Sequence, residues 1–189
     1  MNFQEDIKNC LQILNNGGVI LYPTDTVWGL GCDATNADAV AKIFAIKQRD
    51  EKKSMIILLA ELNKVQHFAK PPSAEIIELI KNTNKPLTII YPEVHGLAQT
   101  LINEDDTIAI RIPNDDFCKD LITAFGKPII STSANISGEN TPSVFSEISE
   151  AIKNKVDYCC NYRQADNNKA APSKIVKWNA DGGFDVIRE

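Results

Sequence analysis

Gly17-Gly18-Val19-Ile20-Leu21-Tyr22-Pro23-Thr24-Asp25-Thr26-Val27-Trp28-Gly29-Leu30-Gly31 is the stretch from which the rest of the chain can be placed. Val19 to Tyr22 is a short β-branched apolar run of the kind that forms a buried strand. Pro23 has no N–H to donate, so pairing is interrupted where that run ends. Thr24, Asp25 and Thr26 are thereby presented at a strand end, which is where open α/β sheets bind ligands. Gly29 and Gly31 add two positions at which backbone can bend or come close to a ligand. A Thr/Asp turn that only joins two strands accounts for the same residues equally well.

The whole 189-residue chain is 43 % hydrophobic, enough for one substantial core, and a single domain over residues 1–189 is expected. Its net charge of −5 gives no global positive field, so any anion site has to be local. No basic and apolar leader and no run of membrane-spanning length is present, which points to a cytoplasmic protein without a membrane partner. The five cysteines (Cys10, Cys32, Cys118, Cys159, Cys160) contain no C-x-x-C pair, and His67 and His95 stand alone, so no protein-held metal site is expected. Adjacent Cys159 and Cys160 alternate across a strand and read as small core residues.

Outward from the opening strand, Phe3, Ile7, Leu11 and Leu14 recur at helical spacing and Gly17-Gly18 stops that helix. Asn36 or Asp38 caps a second helix with the stripe Val40, Ile43, Phe44, Lys47. Met55 to Ala60 does not alternate, as befits a central strand covered on both faces. Short helices around Leu62 to Ala69 and Ser73 to Lys81 precede a strand at Leu87 to Tyr91. Thr107 to Ile112 is a strand ended by Pro113, Phe117 to Phe125 a helix closed by Gly126, and Pro128 to Ile130 a strand. Pro142 at a first-turn position starts a helix to about Lys153, followed by a strand over Asp157 to Tyr162 and a polar loop from Arg163 to Ala171. Ser173 to Trp178 and Phe184 to Arg188 form a hairpin about Asp181-Gly182-Gly183. The expected fold is α/β: a twisted, mixed sheet with flanking helices and a concave, locally basic ligand face.

No P-loop, dinucleotide fingerprint or nucleophile elbow is present, so the chemistry has to lie in clusters at strand and helix ends. Lys47-Gln48-Arg49 puts two cations at one helix end, where they can clamp a polyphosphate or simply complement the helix dipole. Ser131-Thr132-Ser133-Ala134-Asn135-Ile136-Ser137-Gly138 has more hydrogen-bonding side chains than one helix cap needs, and suits phosphates or a base. Arg111 stands in an apolar strand and needs an anionic partner if it points inward, which a protein carboxylate could also supply.

Together these clusters resemble the YrdC/TsaC-like family of threonylcarbamoyl-AMP synthases, collinearly over nearly the whole chain. The resemblance rests on Tyr22 to Asp33 for the family's YPT[ED]TxYGLGCD, Lys47-Gln48-Arg49 for K-x-R, Arg111-Ile112-Pro113, Ser131 to Gly138 for S-x-SAN-x-SG, and Pro172-Ser173. It implies that L-threonine, bicarbonate and ATP, the last with Mg2+, react to threonylcarbamoyl-AMP and pyrophosphate. The product would feed a threonylcarbamoyl transferase complex that modifies adenosine 37 of tRNA, and direct tRNA contact is a further possibility. By position, Thr24, Thr26, Arg111, Ser133 and Ser173 are implied for threonine. Lys47 and Arg49 are implied as catalytic, phosphate-holding cations, with Thr107, Ser131, Asn135, Ser143 and Arg188 for ATP. Asp25 is expected to face away from the site by strand alternation. The sequence departs from the family in Trp28 where Tyr is usual, in the lack of a histidine after K-x-R, and in Lys174 where Thr is frequent in longer members, and it resembles the short, single-domain type. The alternatives are a non-catalytic RNA-, tRNA- or nucleotide-binding paralogue and the carbamoyl transfer of hydrogenase maturation.

Overall fold

The computed structural model describes residues 3–50, 55–179 and 182–189. In chain order the elements are α1 (Gln4–Asn15), β1 (Ile20–Tyr22), β2 (Gly29–Gly31), α2 (Ala37–Lys47), β3 (Ile56–Leu58), α3 (Ala74–Asn82) and β4 (Leu87–Pro92). There follow β5 (Thr107–Arg111), α4 (Asp116–Phe125), β6 (Ile129–Ser133), α5 (Glu150–Lys153), β7 (Tyr158–Cys159), β8 (Lys174–Trp178) and β9 (Phe184–Arg188).

The strands join in one nine-stranded sheet of order β7-β1-β2-β6-β3-β5-β4-β8-β9. It is mixed: β3 with β5, β4 with β8 and β1 with β7 run parallel, and the other neighbours antiparallel. The unalternating run at Met55 does form a central strand, with Ile57 and Leu58 fully buried between β5 and β6. α1 buries Ile7, Cys10 and Leu14 and packs on α4, where Phe3 meets Phe117 edge-on at 5.6 Å. Asp6 ties that helix to the β7 edge by accepting the N–H groups of Asn161 and Tyr162 at 3.0 and 2.7 Å. Asn36 caps α2, accepting from the N–H groups of Asp38 and Ala39, and Gly126 closes α4 in the left-handed region with φ of 75°.

Gly29 and Gly31 are the end residues of β2. A Cβ on Gly31 would stand 2.6 Å from the Tyr22 ring, because that ring lies across β2 to donate its hydroxyl to the Ile130 carbonyl at 3.0 Å. The glycine is therefore required by an aromatic side chain crossing the sheet.

Three expected elements differ. The helix from Pro142 to Lys153 is absent: the Ser143 N–H and hydroxyl are taken by the Glu147 carboxylate at 2.8 and 3.2 Å, Val144 is extended, and only Glu150–Lys153 is α-helical. The segment at Leu62–His67 is a three-ten helix. The strand expected over Asp157 to Tyr162 shrinks to Tyr158–Cys159. The C-terminal hairpin forms, although Asp181 of its turn lies outside the described residues. One irregularity in it places a side chain. Val176 pairs with Val186 but Ile175 with Arg188, so Ile187 is an extra, bulged residue and Arg188 turns to the same sheet face as Ile175.

Candidate functional site

On that face, Thr107, Ala109 and Arg111 alternate along β5, and Ile90 of β4 and Ile175 of β8 lie beside them. With the turn after β1 and the end of β6 they line a cleft of about 290 Å³. Three arginines, Arg49, Arg111 and Arg188, reach it, together with the hydroxyls of Thr26, Ser131, Thr132, Ser133, Thr141 and Ser173. Among the described residues that line it there is no carboxylate, histidine or cysteine. The described lining thus carries three arginines in a chain whose net charge is −5.

Each arginine arrives by a different device. Gln48 takes a left-handed conformation at the end of α2, and the Arg49 N–H bonds back to the Phe44 carbonyl at 3.0 Å, which turns Arg49 out of the helix and into the cleft. Arg188 arrives by the bulge and donates Nε–H and Nη2–H to the Ser173 carbonyl at 3.0 and 2.7 Å. Burial draws both guanidinium pKa values down, though a guanidinium stays cationic throughout the working range. Arg111 is 3 % exposed and pairs with the Asp25 carboxylate, with a longer donation to Ser131 Oγ at 3.4 Å.

That ion pair corrects the expectation for Asp25. After Pro23 the chain is a turn, so strand alternation no longer governs where side chains point, and Asp25 faces Arg111 instead of away from it. Its second oxygen accepts the Asn114 N–H at 3.0 Å, tying the turn to the loop after β5. The carboxylate partner raised for Arg111 from sequence is therefore the one it has.

The implied residues divide into those on the cleft and those off it. Thr26, Arg49, Arg111, Ser131, Ser133, Ser173 and Arg188 line it. Thr24 sits behind the turn, where its hydroxyl accepts the Thr26 N–H at 3.0 Å and donates to the Val27 carbonyl at 2.8 Å. Lys47 follows the inward stripe, as its helical position requires, but ends beneath the loop after β6: the ammonium donates to the Ser133 carbonyl and, at 2.7 Å, to that of Asn135. Burial, with Arg49 nearby, pulls its pKa down to about 8. Asn135 donates its side-chain N–H groups to the Ile136 and Glu139 carbonyls. Ser143 lies in a separate hollow shared with Thr24 and Arg163. Thr107 is on the cleft's sheet face but further along, bonded to Asp105 at 2.6 Å. Asp33 is structural, holding Thr35 and the Lys127 ammonium.

Sequence reading missed Thr132 and Thr141, and took Trp28 only as a wall. Trp28 lines the cleft and packs on Phe145 at 4.8 Å between ring centroids. Thr132 lies inside the hydroxyl-rich run and was legible there, whereas Thr141 carried no local signal. Among the described residues no group of three or more His, Cys, Asp or Glu could hold a metal, and no helix is long and apolar enough to cross a membrane. Cys10 and Cys160 are buried with sulfurs 3.3 Å apart, as core residues.

Comparison with known proteins adds to this geometry. The Sua5/YciO/YrdC family model, described as telomere recombination, matches residues 12–189. A threonylcarbamoyl-AMP synthase of Pseudoalteromonas translucida is 36 % identical over 161 residues, 84 % of this chain and 86 % of its own. The crystal structure of P. abyssi Sua5 complexed with L-threonine is similar at 26 % identity and a TM-score of 0.81, over 92 % of this chain but only 51 % of that longer one. E. coli YciO gives 26 % and 0.81 over 98 % of this chain and 89 % of its own.

Proposed function

Since the chain belongs to the Sua5/YciO/YrdC family, we propose that it is a threonylcarbamoyl-AMP synthase, an enzyme that makes threonylcarbamoyl-AMP and pyrophosphate from L-threonine, bicarbonate and ATP. The observation that carries this reading is the cleft lined by Arg49, Arg111 and Arg188 with a ring of hydroxyls and, among the described residues, no carboxylate. Such a lining suits a substrate set whose members are anionic, and a reaction whose negative charge moves between phosphate oxygens.

Arg111 takes the threonine carboxylate, with Thr26 and Ser133 toward its polar groups, while Arg49 and Arg188 hold the triphosphate. The carbamate formed from the threonine amine and bicarbonate, with loss of water, attacks the α-phosphorus through oxygen, and pyrophosphate leaves on the opposite side. Positioning and positive charge on the leaving oxygens are the contributions such a transfer needs. Among the described residues of that lining, Ser131, Ser133 and Ser173 have no histidine or carboxylate beside them to take a proton, so no covalent nucleophile is assigned. Magnesium comes as MgATP and takes its ligands from phosphate oxygens. Lys47 supports the loop after β6, and Thr24, Thr107, Asn135 and Ser143 act at one remove from the reacting groups. The protein works in the cytoplasm as one domain and passes its product to a threonylcarbamoyl transferase complex.

Purified protein given ATP, Mg2+, bicarbonate and labelled threonine should yield pyrophosphate and threonylcarbamoyl-AMP in equal amounts. Pyrophosphate release that needs carbamoyl phosphate in place of threonine would point instead to carbamoyl transfer of the hydrogenase-maturation kind. RNA binding without turnover would favour the non-catalytic alternative.

A further inference from the structure

The Arg111–Asp25 pair divides the cleft electrically. Arg111 is held by a carboxylate that is itself buried, 8 % exposed against 3 % for the arginine. Asp25 is fixed in turn by the Asn114 N–H and by the Thr24 hydroxyl network that shapes the turn. Its oxygens stand outside the cleft, so Arg111 presents its remaining edge inward, toward Ser131, with its charge already balanced.

We propose that Asp25 is a specificity-determining positioning residue: by neutralising and orienting Arg111 it makes that end of the cleft accept a monoanionic amino-acid carboxylate and refuse a phosphate group. The proposal rests on the reading above that Arg111 takes the carboxylate of threonine. A balanced guanidinium gains little from a dianion that would add a second negative charge near Asp25, but it can still donate hydrogen bonds to a zwitterion of no net charge. An unbalanced buried guanidinium would instead draw in the most highly charged anion available, which in this cleft is the polyphosphate. Asp25 thus keeps ATP and pyrophosphate at the Arg49 and Arg188 end and leaves the Arg111 end to threonine.

The test is calorimetric titration of the full chain with L-threonine and with pyrophosphate, each alone and each in the presence of the other. In the wild type the two ligands should bind together, with neither affinity changing by more than about twofold. In Asp25→Asn, threonine should bind about tenfold more weakly, pyrophosphate about tenfold more tightly, and each should displace the other. Asp25→Glu, which keeps the charge, should restore joint binding. Wild-type behaviour in Asp25→Asn overturns the proposal, and so does wild-type protein in which pyrophosphate already displaces threonine. That second measurement decides the matter if Asp25→Asn does not fold. Wild-type protein that takes pyrophosphate but no threonine overturns the synthase reading and the proposal together, whereas an unaltered Asp25→Asn overturns the proposal alone.

Discussion

The wall of the cleft that carries Thr26 and Trp28 lies between β1 and β2, both buried at every residue, while β9, which carries Arg188, is exposed at every residue and pairs on one side only. In the first wall the polar groups are spoken for before any ligand arrives: Thr24 closes the turn, Tyr22 spans the strands to Ile130, and Asp25 reaches Arg111. In the second, Arg188 hangs from the Ser173 carbonyl at the edge of the sheet, flanked by exposed Val186 and Ile187. The difference teaches where the cleft gets its shape and where it gets its freedom. A buried, internally bonded wall opens only at a cost near that of global unfolding, whereas an exposed edge hairpin belongs to the low-stability end of a structure and can follow a substrate in and out.

That contrast can be broken by substitution. The largest effect is expected on the floor between the walls: Arg49→Ala should lower kcat about 10²- to 10³-fold with Tm within about 2 °C of wild type, as removal of a charged transition-state donor does. Lys47→Ala should separate from it, losing activity and also roughly 2 kcal/mol of stability in urea titration, because two carbonyls of the loop after β6 lose a buried donor. Gly31→Ala tests the fixed wall, and its Cβ, 2.6 Å from the Tyr22 ring and 3.0 Å from the Ile130 carbonyl, should cost about 1–3 kcal/mol. Arg188→Ala tests the free wall and should raise KM for ATP about tenfold with no change in urea midpoint. Val186→Thr, on the exposed edge, should alter stability by no more than about 0.5 kcal/mol, and a larger loss would show that β9 is as fixed as β1.

Much of this was legible from residue order. The strand that stops at Pro23, the α2 stripe ending in Lys47, the central strand at Ile56–Leu58 and the C-terminal hairpin all stand where pattern put them, because each is fixed by its own apolar period and its own breaker. What escaped depends on partners distant in sequence. Asp25 finds Arg111 across 86 positions, and Lys47 finds carbonyls 86 and 88 positions away where phosphates had been expected. Neither contact has a local signature. The failed helix after Pro142 is a different case: the proline reads as a helix start, yet the Glu147 carboxylate takes the Ser143 N–H and hydroxyl and the segment does not continue as a helix.

The bulge at Ile187 gives the exposed strand a second, less forgiving character. Composition along β9 can drift, since none of its side chains is buried, but its irregular pairing cannot be lost. If the bulge were lost with Ile187 kept, regular pairing would set Ile187 opposite Ile175, bring Arg188 opposite Lys174 and turn its guanidinium to the far side of the sheet. The segment most tolerant of replacement is thus intolerant of a regular register, and one bulged residue in β9 decides whether the cleft keeps its third cation.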